Sequence, residues 1–296
     1  MTITRCRNSI KTNLLELRQI RYPDTNFDSW YLPAAEIETA AANGDLPLIT
    51  LPGFKTEARP LIAILLAQDR HPDRLEPDYS LHPDYISAIQ LAGGNPVFIS
   101  YERVREQLET WQPGGILLPG GDFAFPPEWF AKGDAPQPEG SRRACAYLEM
   151  ADYAKTHKLP TLGICGGEQI LGGMNGAKLR HSINQGSPEI NHRQGGYILA
   201  HTVQIAPDSL LHEITGKTEL TVNSAHHEAV RADMPGNCRI TATAPDGTVE
   251  AIEPQQPWHR MVLGIQWHPE RLVKLGDQTE LKLFKRLVEE SRHVQR

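Results

Sequence analysis

Cysteine is scarce in this sequence: the four present, at 6, 145, 165 and 238, form no C-x-x-C pair and no metal-finger spacing. A disulfide-stapled secreted scaffold would be shorter and far denser in cysteine. Positive charge is also in deficit. Thirty Lys and Arg face 36 Asp and Glu, a net charge of −6 with histidine neutral, so there is no basic surface for a polynucleotide and no nucleic-acid partner is expected. No apolar run reaches the roughly 18 residues needed to cross a bilayer; the longest are short, Leu61–Ala67 and Ile116–Leu118 among them. No membrane association is expected. The phosphate-cradling string G-x-x-x-x-G-K-[ST] is missing, and no repeat recurs at a period of about 20–50 residues. The first residues carry neither an apolar h-region nor a small-residue cleavage site. They hold five basic residues and one acidic one through Arg21, which fits a disordered basic arm or a transit peptide. A cytoplasmic, reducing setting is the default expectation.

What is present is enough apolar material for a large core, 40 % of 296 residues. At roughly 150 residues per domain the length fits two domains, or one large domain with additions. Residues 1–59 are rich in turn signals and contain one short helical candidate, Ala34–Ala42, and an apolar stretch, Leu48–Leu51, able to dock. They read as an N-terminal extension to a domain spanning 60–296. From Pro60 onward, short apolar runs alternate with helical patterns. Strands are expected at Leu61–Ala67, Pro96–Ser100, Gly115–Leu118 and Pro160–Ile164. Helices are expected at Asp84–Ala92, Glu102–Thr110, Arg142–His157 and Glu168–Met174. Residues 124–140, with four prolines and two glycines, read as a surface loop. Strand-rich segments follow at His201–Ile205, Thr218–Val222, Arg239–Ala244, Thr248–Glu253 and Val262–Gln266, then a terminal helix, Thr279–Arg292. Ala244-Pro-Asp-Gly-Thr reads as a tight hairpin turn. The alternation predicts an α/β fold, doubly wound, with a mostly parallel central sheet flanked by helices.

Three segments carry chemistry. In Thr161-Leu-Gly-Ile-Cys-Gly-Gly-Glu-Gln169 an apolar strand ends at Cys165 among glycines at 163, 166 and 167. Small neighbours let the backbone bend sharply there, as in the nucleophile elbow of serine hydrolases. A helix following such a turn aims its N-terminal amides at the sulfur, which favours thiolate over thiol. A buried structural cysteine is the plainer alternative. In Leu263-Gly-Ile-Gln-Trp-His-Pro-Glu270 a short strand ends in His268, with a carboxylate two positions on. A thiolate catalyst needs an imidazole to move its proton, and that imidazole needs an acceptor on its other nitrogen. Cys165, His268 and Glu270 supply all three groups. In Gly114-Gly-Ile-Leu-Leu-Pro-Gly-Gly-Asp122 a strand delivers paired glycines whose amides can approach a developing oxyanion. All three segments place these residues at carboxyl ends of strands, where open α/β sheets bind ligands.

The order Pro-Gly-Gly, Gly-Ile-Cys-x-Gly-x-Gln and Gln-Trp-His-Pro-Glu resembles the class I glutamine amidotransferase superfamily. Asn223-Ser-Ala-His-His-Glu228 and Ala244-Pro-Asp-Gly-Thr-Val-Glu-Ala-Ile252 are similar to its branch of γ-glutamyl-γ-aminobutyrate hydrolases and γ-glutamyl hydrolases. The resemblance covers about residues 60–290. It implies Cys165 as nucleophile, His268 as base, Glu270 as its orienting carboxylate, and an oxyanion hole from the amides of Gly121 and Gly166. It also implies substrate contacts from Gly120, Gln169 and His226. Two positions depart from the branch: glycine stands at 166 where an arginine or another larger residue is common, and Glu228 stands where a glutamine is usual.

The expected activity is hydrolysis of a small γ-glutamyl amide through a γ-glutamyl thioester. A glutaminase subunit feeding ammonia to a separate synthase, and a non-catalytic binding protein of the same fold, are the alternatives. No cofactor is expected. His181, His192, His201, His226 and His227 show no H-x-x-x-H spacing backed by a carboxylate, so no metal is expected either. Phe123, Phe125, Trp129 and Phe130 either wall a pocket or anchor their loop, with anchoring favoured. The partner is a small γ-glutamyl substrate, and a homodimer is compatible with the sequence.

Overall fold

The computed structural model describes residues 18–21, 28–31, 59–69, 77–132, 134–136, 140–183 and 190–294. The chain divides into two compact units, Met1–Glu57 and Ala58–Arg296. In the first, Arg18–Arg21 pairs antiparallel with Asp28–Tyr31. The expected helix Ala34–Ala42 and the stretch Leu48–Leu51 lie outside the described residues.

The second unit is built on a nine-stranded sheet. Five strands run parallel, in the order Val262–Ile265, Thr161–Ile164, Gly115–Leu118, Leu61–Leu65 and Asn95–Ile99. Four antiparallel strands extend it beyond Val262–Ile265: Val249–Pro254, Cys238–Thr243, Arg193–Ile205 and Glu219–Ala225. The parallel strands read as unbroken apolar runs because both faces are covered. Ile62, Ile64, Leu117, Leu162, Ile164, Leu263 and Ile265 pack on one face with helices Pro83–Leu91 and Gln278–Arg292. Their alternates Ala63, Leu65, Ile116, Leu118 and Val262 pack on the other face with helices Val104–Trp111, Arg142–Thr156 and Gly166–Met174. Side chains alternate across a strand, so each strand feeds both cores.

Local signals account for where the helices begin. Ser141 accepts a hydrogen bond from the Ala144 amide at 3.1 Å, and Asp277 from those of Thr279 and Glu280 at 2.7 and 3.2 Å. The expected hairpin turn is present: the Gly247 amide donates to Ala244 O at 2.9 Å, with Gly247 at φ +81°. Some boundaries differ from expectation. The first parallel strand stops at Leu65, and Ala67–Asp69 forms a separate pair with Asp78–Ser80. The polar helix starts at Val104 rather than Glu102, because Arg103 takes a left-handed conformation, φ 51°. The strand expected at His201–Ile205 begins eight residues earlier, at Arg193, with bulges against its neighbour that blur any strict alternation. Two further short helices, Leu210–Thr215 and Pro269–Lys274, are too brief to show a period in the sequence. Among the described residues no helix is long and apolar enough to cross a membrane.

Candidate functional site

The turn after Thr161–Ile164 holds Cys165 at φ 51°, ψ −107°, a conformation that L-residues avoid. Its amide donates to Ile265 O at 2.7 Å, and the helix Gly166–Met174 starts at the next residue. The glycines are required by contact. A Cβ at Gly167 would lie 2.1 Å from Leu118 O, and one at Gly163 would lie 2.5 Å from Gly167 O. Backbone on backbone cannot yield, so strand, turn and helix close only with glycine at both places. Cys165 is buried but still reaches a small cleft lined by Gly121, Asp122, Phe123, Phe125, Gln169, His226, His227 and Glu228.

Val262–Ile265 is the parallel neighbour of that strand, in register from Val262 opposite Thr161 to Ile265 opposite Ile164. Continuing this register brings His268 to the cysteine. A Cβ built on Gly120 would sit 2.8 Å from His268 Cε1 and 3.0 Å from Cys165 Cβ, so the three residues converge on one point. His268 Nδ1 lies 2.7 Å from Glu270 Oε1, in a buried pair. Burial works against the imidazolium, but the Glu270 charge and the charge and hydrogen bond of Cys165 outweigh it, and the His268 pKa is pushed up to about 10. Pro269 opens the short helix that carries Glu270.

Asn223 holds His268 by its backbone. Its Oδ1 accepts from the His268 amide at 2.8 Å, and its Nδ2 donates to His268 O at 2.8 Å and to Gly196 O at 2.5 Å. Asn223 opens the motif Asn223-Ser-Ala-His-His-Glu228, which by itself gives the asparagine no role. Its partner lies 45 positions along the chain.

The glycine loop behaves differently from one residue to the next. The amide of Gly120 donates to Tyr85 Oη at 2.9 Å and its carbonyl accepts from Arg143 Nη2 at 2.8 Å. Its backbone is thereby held from both sides, and its lack of a Cβ leaves clearance for His268 and Cys165. The amides of Gly121 and Gly166 donate to no backbone carbonyl among the described residues, and a Cβ on Gly166 would lie 3.1 Å from Gly121 O. The two residues are neighbours. The same Cβ would lie 2.7 Å from the Phe123 ring edge, so Phe123 fills the space that a larger residue at 166 would claim.

Gln169 and His226 line the cleft. Gln169 spends its amide nitrogen on Glu228 O at 2.7 Å and Gln266 Oε1 at 2.9 Å. His226 directs Nδ1 at Glu228 O, 3.0 Å, while Nε2 faces the Glu250 carboxylate at 3.5 Å without a hydrogen bond. Glu228 pairs with His181, Oε1 to Nδ1 at 2.7 Å. Of the four loop aromatics, Phe123 and Phe125 line the cleft. Phe130 is buried, and Trp129 lies in the space left by Gly173, so these two anchor the loop. Glu168 is fully buried with neither oxygen bonded; burial first, then the charges of Glu250 and Cys165, raise its pKa well above the carboxylate range. Among the described residues, two groups carry donor sets that could hold a metal: His181, His227 and Glu228 beside the cleft, and His192, His201 and Glu250 behind it.

The sequence profile of the family described as Peptidase C26 matches residues 60–270. A Rickettsia prowazekii protein provisionally named glutamine amidotransferase-like is 31 % identical over 74 % of this chain and 91 % of its own. The gamma-glutamyl-gamma-aminobutyrate hydrolase of Escherichia coli K12 is 28 % identical over 71 % of this chain and 85 % of its own. A solved Thermoplasma acidophilum structure, provisionally described as one component of GMP synthase, superposes with a TM-score of 0.52 at 14 % identity, covering 78 % of this chain and 94 % of that one. At that identity it speaks for the fold alone, which is a glutamine amidotransferase fold.

Proposed function

The chain belongs to the Peptidase C26 family, and from that premise we propose that it is a cysteine hydrolase cleaving the γ-glutamyl amide bond of a small γ-glutamyl compound. One observation carries the reading: Cys165 stands on a strained turn beside His268, whose other nitrogen is held by a buried carboxylate at 2.7 Å. That is a nucleophile, a proton carrier and an orienting acceptor in series. The γ-glutamyl substrate class comes from the Escherichia coli relative.

In the proposed reaction the Cys165 sulfur adds to the γ-carbonyl, and the Gly121 and Gly166 amides receive the charge that forms on oxygen. His268 passes its proton to the departing nitrogen, the C–N bond breaks and an amine leaves. A γ-glutamyl thioester remains on the sulfur. Water then gives a proton to His268 and adds to the thioester, the C–S bond breaks, and glutamate leaves with the sulfur restored. Glu270 holds the imidazole in the tautomer that directs Nε2 at the reacting atoms.

The test is glutamate release from a panel of γ-glutamyl amides that includes plain glutamine. Cys165→Ala should lower turnover by about 10³-fold or more while leaving the fold intact. Full activity in that variant overturns the assignment. Turnover of glutamine alone, stimulated by a second protein, would replace it with a glutaminase that serves a separate synthase.

A further inference from the structure

At the glycine loop, three side chains grip two consecutive peptide units. In the Pro119–Gly120 unit the oxygen accepts from Tyr147 Oη, and the amide donates to Tyr85 Oη at 2.9 Å. In the Gly120–Gly121 unit the oxygen accepts from Arg143 Nη2 at 2.8 Å. The Gly121 amide is left over, with no hydrogen-bond partner among the described residues. A trans peptide sets its N–H and C=O on opposite sides, so the guanidinium that takes the carbonyl turns this amide away from itself. Gly121 lines the cleft together with Cys165.

The surroundings of Arg143 hold it at this contact. It lies on the first turn of the helix Arg142–Thr156, and its Nη2 also donates to Tyr147 Oη, one turn on, at 3.1 Å. Its guanidinium carbon stands 5.0 Å from the Phe123 ring centre and 5.4 Å from that of Tyr147, within cation–π range. Among the described residues no carboxylate pairs with it, and Gly120 O is its one backbone acceptor. Gly121 makes room for it: a Cβ there would lie 2.4 Å from Arg143 Nη1, and φ is +145°. Glycine on both sides of one peptide leaves that unit free to rotate. A half-turn would put the Gly120 oxygen, which only accepts, where the Gly121 donor stood. The Arg143 bond opposes that half-turn. Being charge-assisted, it also polarises the N–H at the other end of the same unit.

We propose that Arg143 is a positioning residue for oxyanion stabilisation: by holding Gly120 O it keeps the Gly121 amide turned into the cleft as a donor. This rests on the hydrolase reading above in one respect, that a carbonyl attacked by Cys165 develops its negative charge beside Gly121. Arg143 acts through the peptide unit and not on the substrate. Its acceptor lies 23 positions away along the chain, so neither charge nor spacing in the sequence marks the arginine.

The test compares two reactions of Cys165 in the full chain, read on the Cys165 peptide by mass spectrometry because Cys145 is exposed. With p-nitrophenyl acetate the sulfur adds to a carbonyl and an oxyanion forms. The C–O bond then breaks, p-nitrophenolate leaves and an acetyl thioester remains. With iodoacetamide the sulfur displaces iodide from a saturated carbon, and no oxyanion forms. Arg143→Met should slow acylation by about 10²–10³-fold, the usual effect of losing one oxyanion donor. Alkylation should stay within about threefold of wild type. Arg143→Lys keeps a point charge without the planar fork and should lose about tenfold in acylation alone. Against a γ-glutamyl amide, Arg143→Met should lower kcat with KM little changed. Acylation of Arg143→Met within about threefold of wild type overturns the proposal. So does an equal fall in both reactions, which would mean that the arginine positions the sulfur. Where Arg143→Met does not fold, Arg143→Lys decides, and the lack of a selective loss overturns the proposal. A wild type whose Cys165 is not acylated overturns it too. A wild type that is acylated but hydrolyses no γ-glutamyl amide rejects the substrate class instead, and the contrast between the two reagents still decides the role of Arg143.

Discussion

Asn223 and Glu270 act on the same histidine by different routes. Glu270 touches the ring, whereas Asn223 holds the backbone amide and carbonyl. Replacing Asn223 with Ala leaves buried polar groups unsatisfied at a cost of about 1–3 kcal/mol each, and frees His268 to drift from the sulfur. The expected outcome is a thermal midpoint lower by several degrees and a kcat lower by about tenfold or more, with KM little changed; steady-state kinetics and thermal melts check it. Glu270→Gln keeps the shape and removes the charge. It should lower kcat by about 10²–10⁴-fold and bring the His268 pKa down from about 10, measurable by NMR titration of the imidazole. An unchanged imidazole pKa would contradict the charge pairing described here.

The strand–turn–helix from Thr161 to Met174 was readable in the sequence because its requirement is local: small residues must flank a sharp bend. The contacts that enforce it are less local. Gly167 needs to be glycine because Leu118 O, on the neighbouring strand, lies 2.1 Å from where a Cβ would stand. Gly167→Ala should therefore cost about 1–3 kcal/mol or more of stability through overpacking and abolish activity. Gly166→Ala meets the Phe123 ring edge, a side chain able to move, and should cost less. Denaturant melts of the two variants check the order. Helices shorter than two turns, Leu210–Thr215 and Pro269–Lys274, were not legible, since so few residues show no helical period. The proline-rich loop split its aromatics between two tasks, lining and anchoring, which composition could not separate.

Across the whole molecule, the functional groups gather at the carboxyl ends of adjacent parallel strands, with hydrophobic layers on both faces of the sheet. The layer behind His268 has a cost in pH range. Glu280 is buried beneath Trp267, whose Nε1–H donates to Glu280 Oε2 at 3.1 Å, and burial pushes the carboxyl up to about 8 against that opposing bond. The folded state holds this proton where the unfolded chain, with a carboxyl near 4.5, has released it. Its effect on stability is therefore most favourable below about 4.5 and is lost as pH rises to about 8. Glu280→Gln keeps an acceptor for Trp267 without the ionisation. Relative to wild type it should gain thermal stability progressively from pH 4.5 to 8, by up to a few kcal/mol at ~1.4 kcal/mol per pKa unit. A difference between the two proteins that is flat across that range would contradict this account.

The alternation of strand and helix, the bend at Cys165 and the types of residue offered at 165, 268 and 270 were set by the chain alone, because apolar period and glycine clearance act over a few neighbours. The alignment of Val262–Ile265 beside Thr161–Ile164, the grip of Asn223 on His268 and the gathering of three imidazoles on Glu250 were decided by the tertiary structure. Each of these joins segments brought together by sheet pairing and shared burial, and no periodicity along the chain records which strand lies beside which.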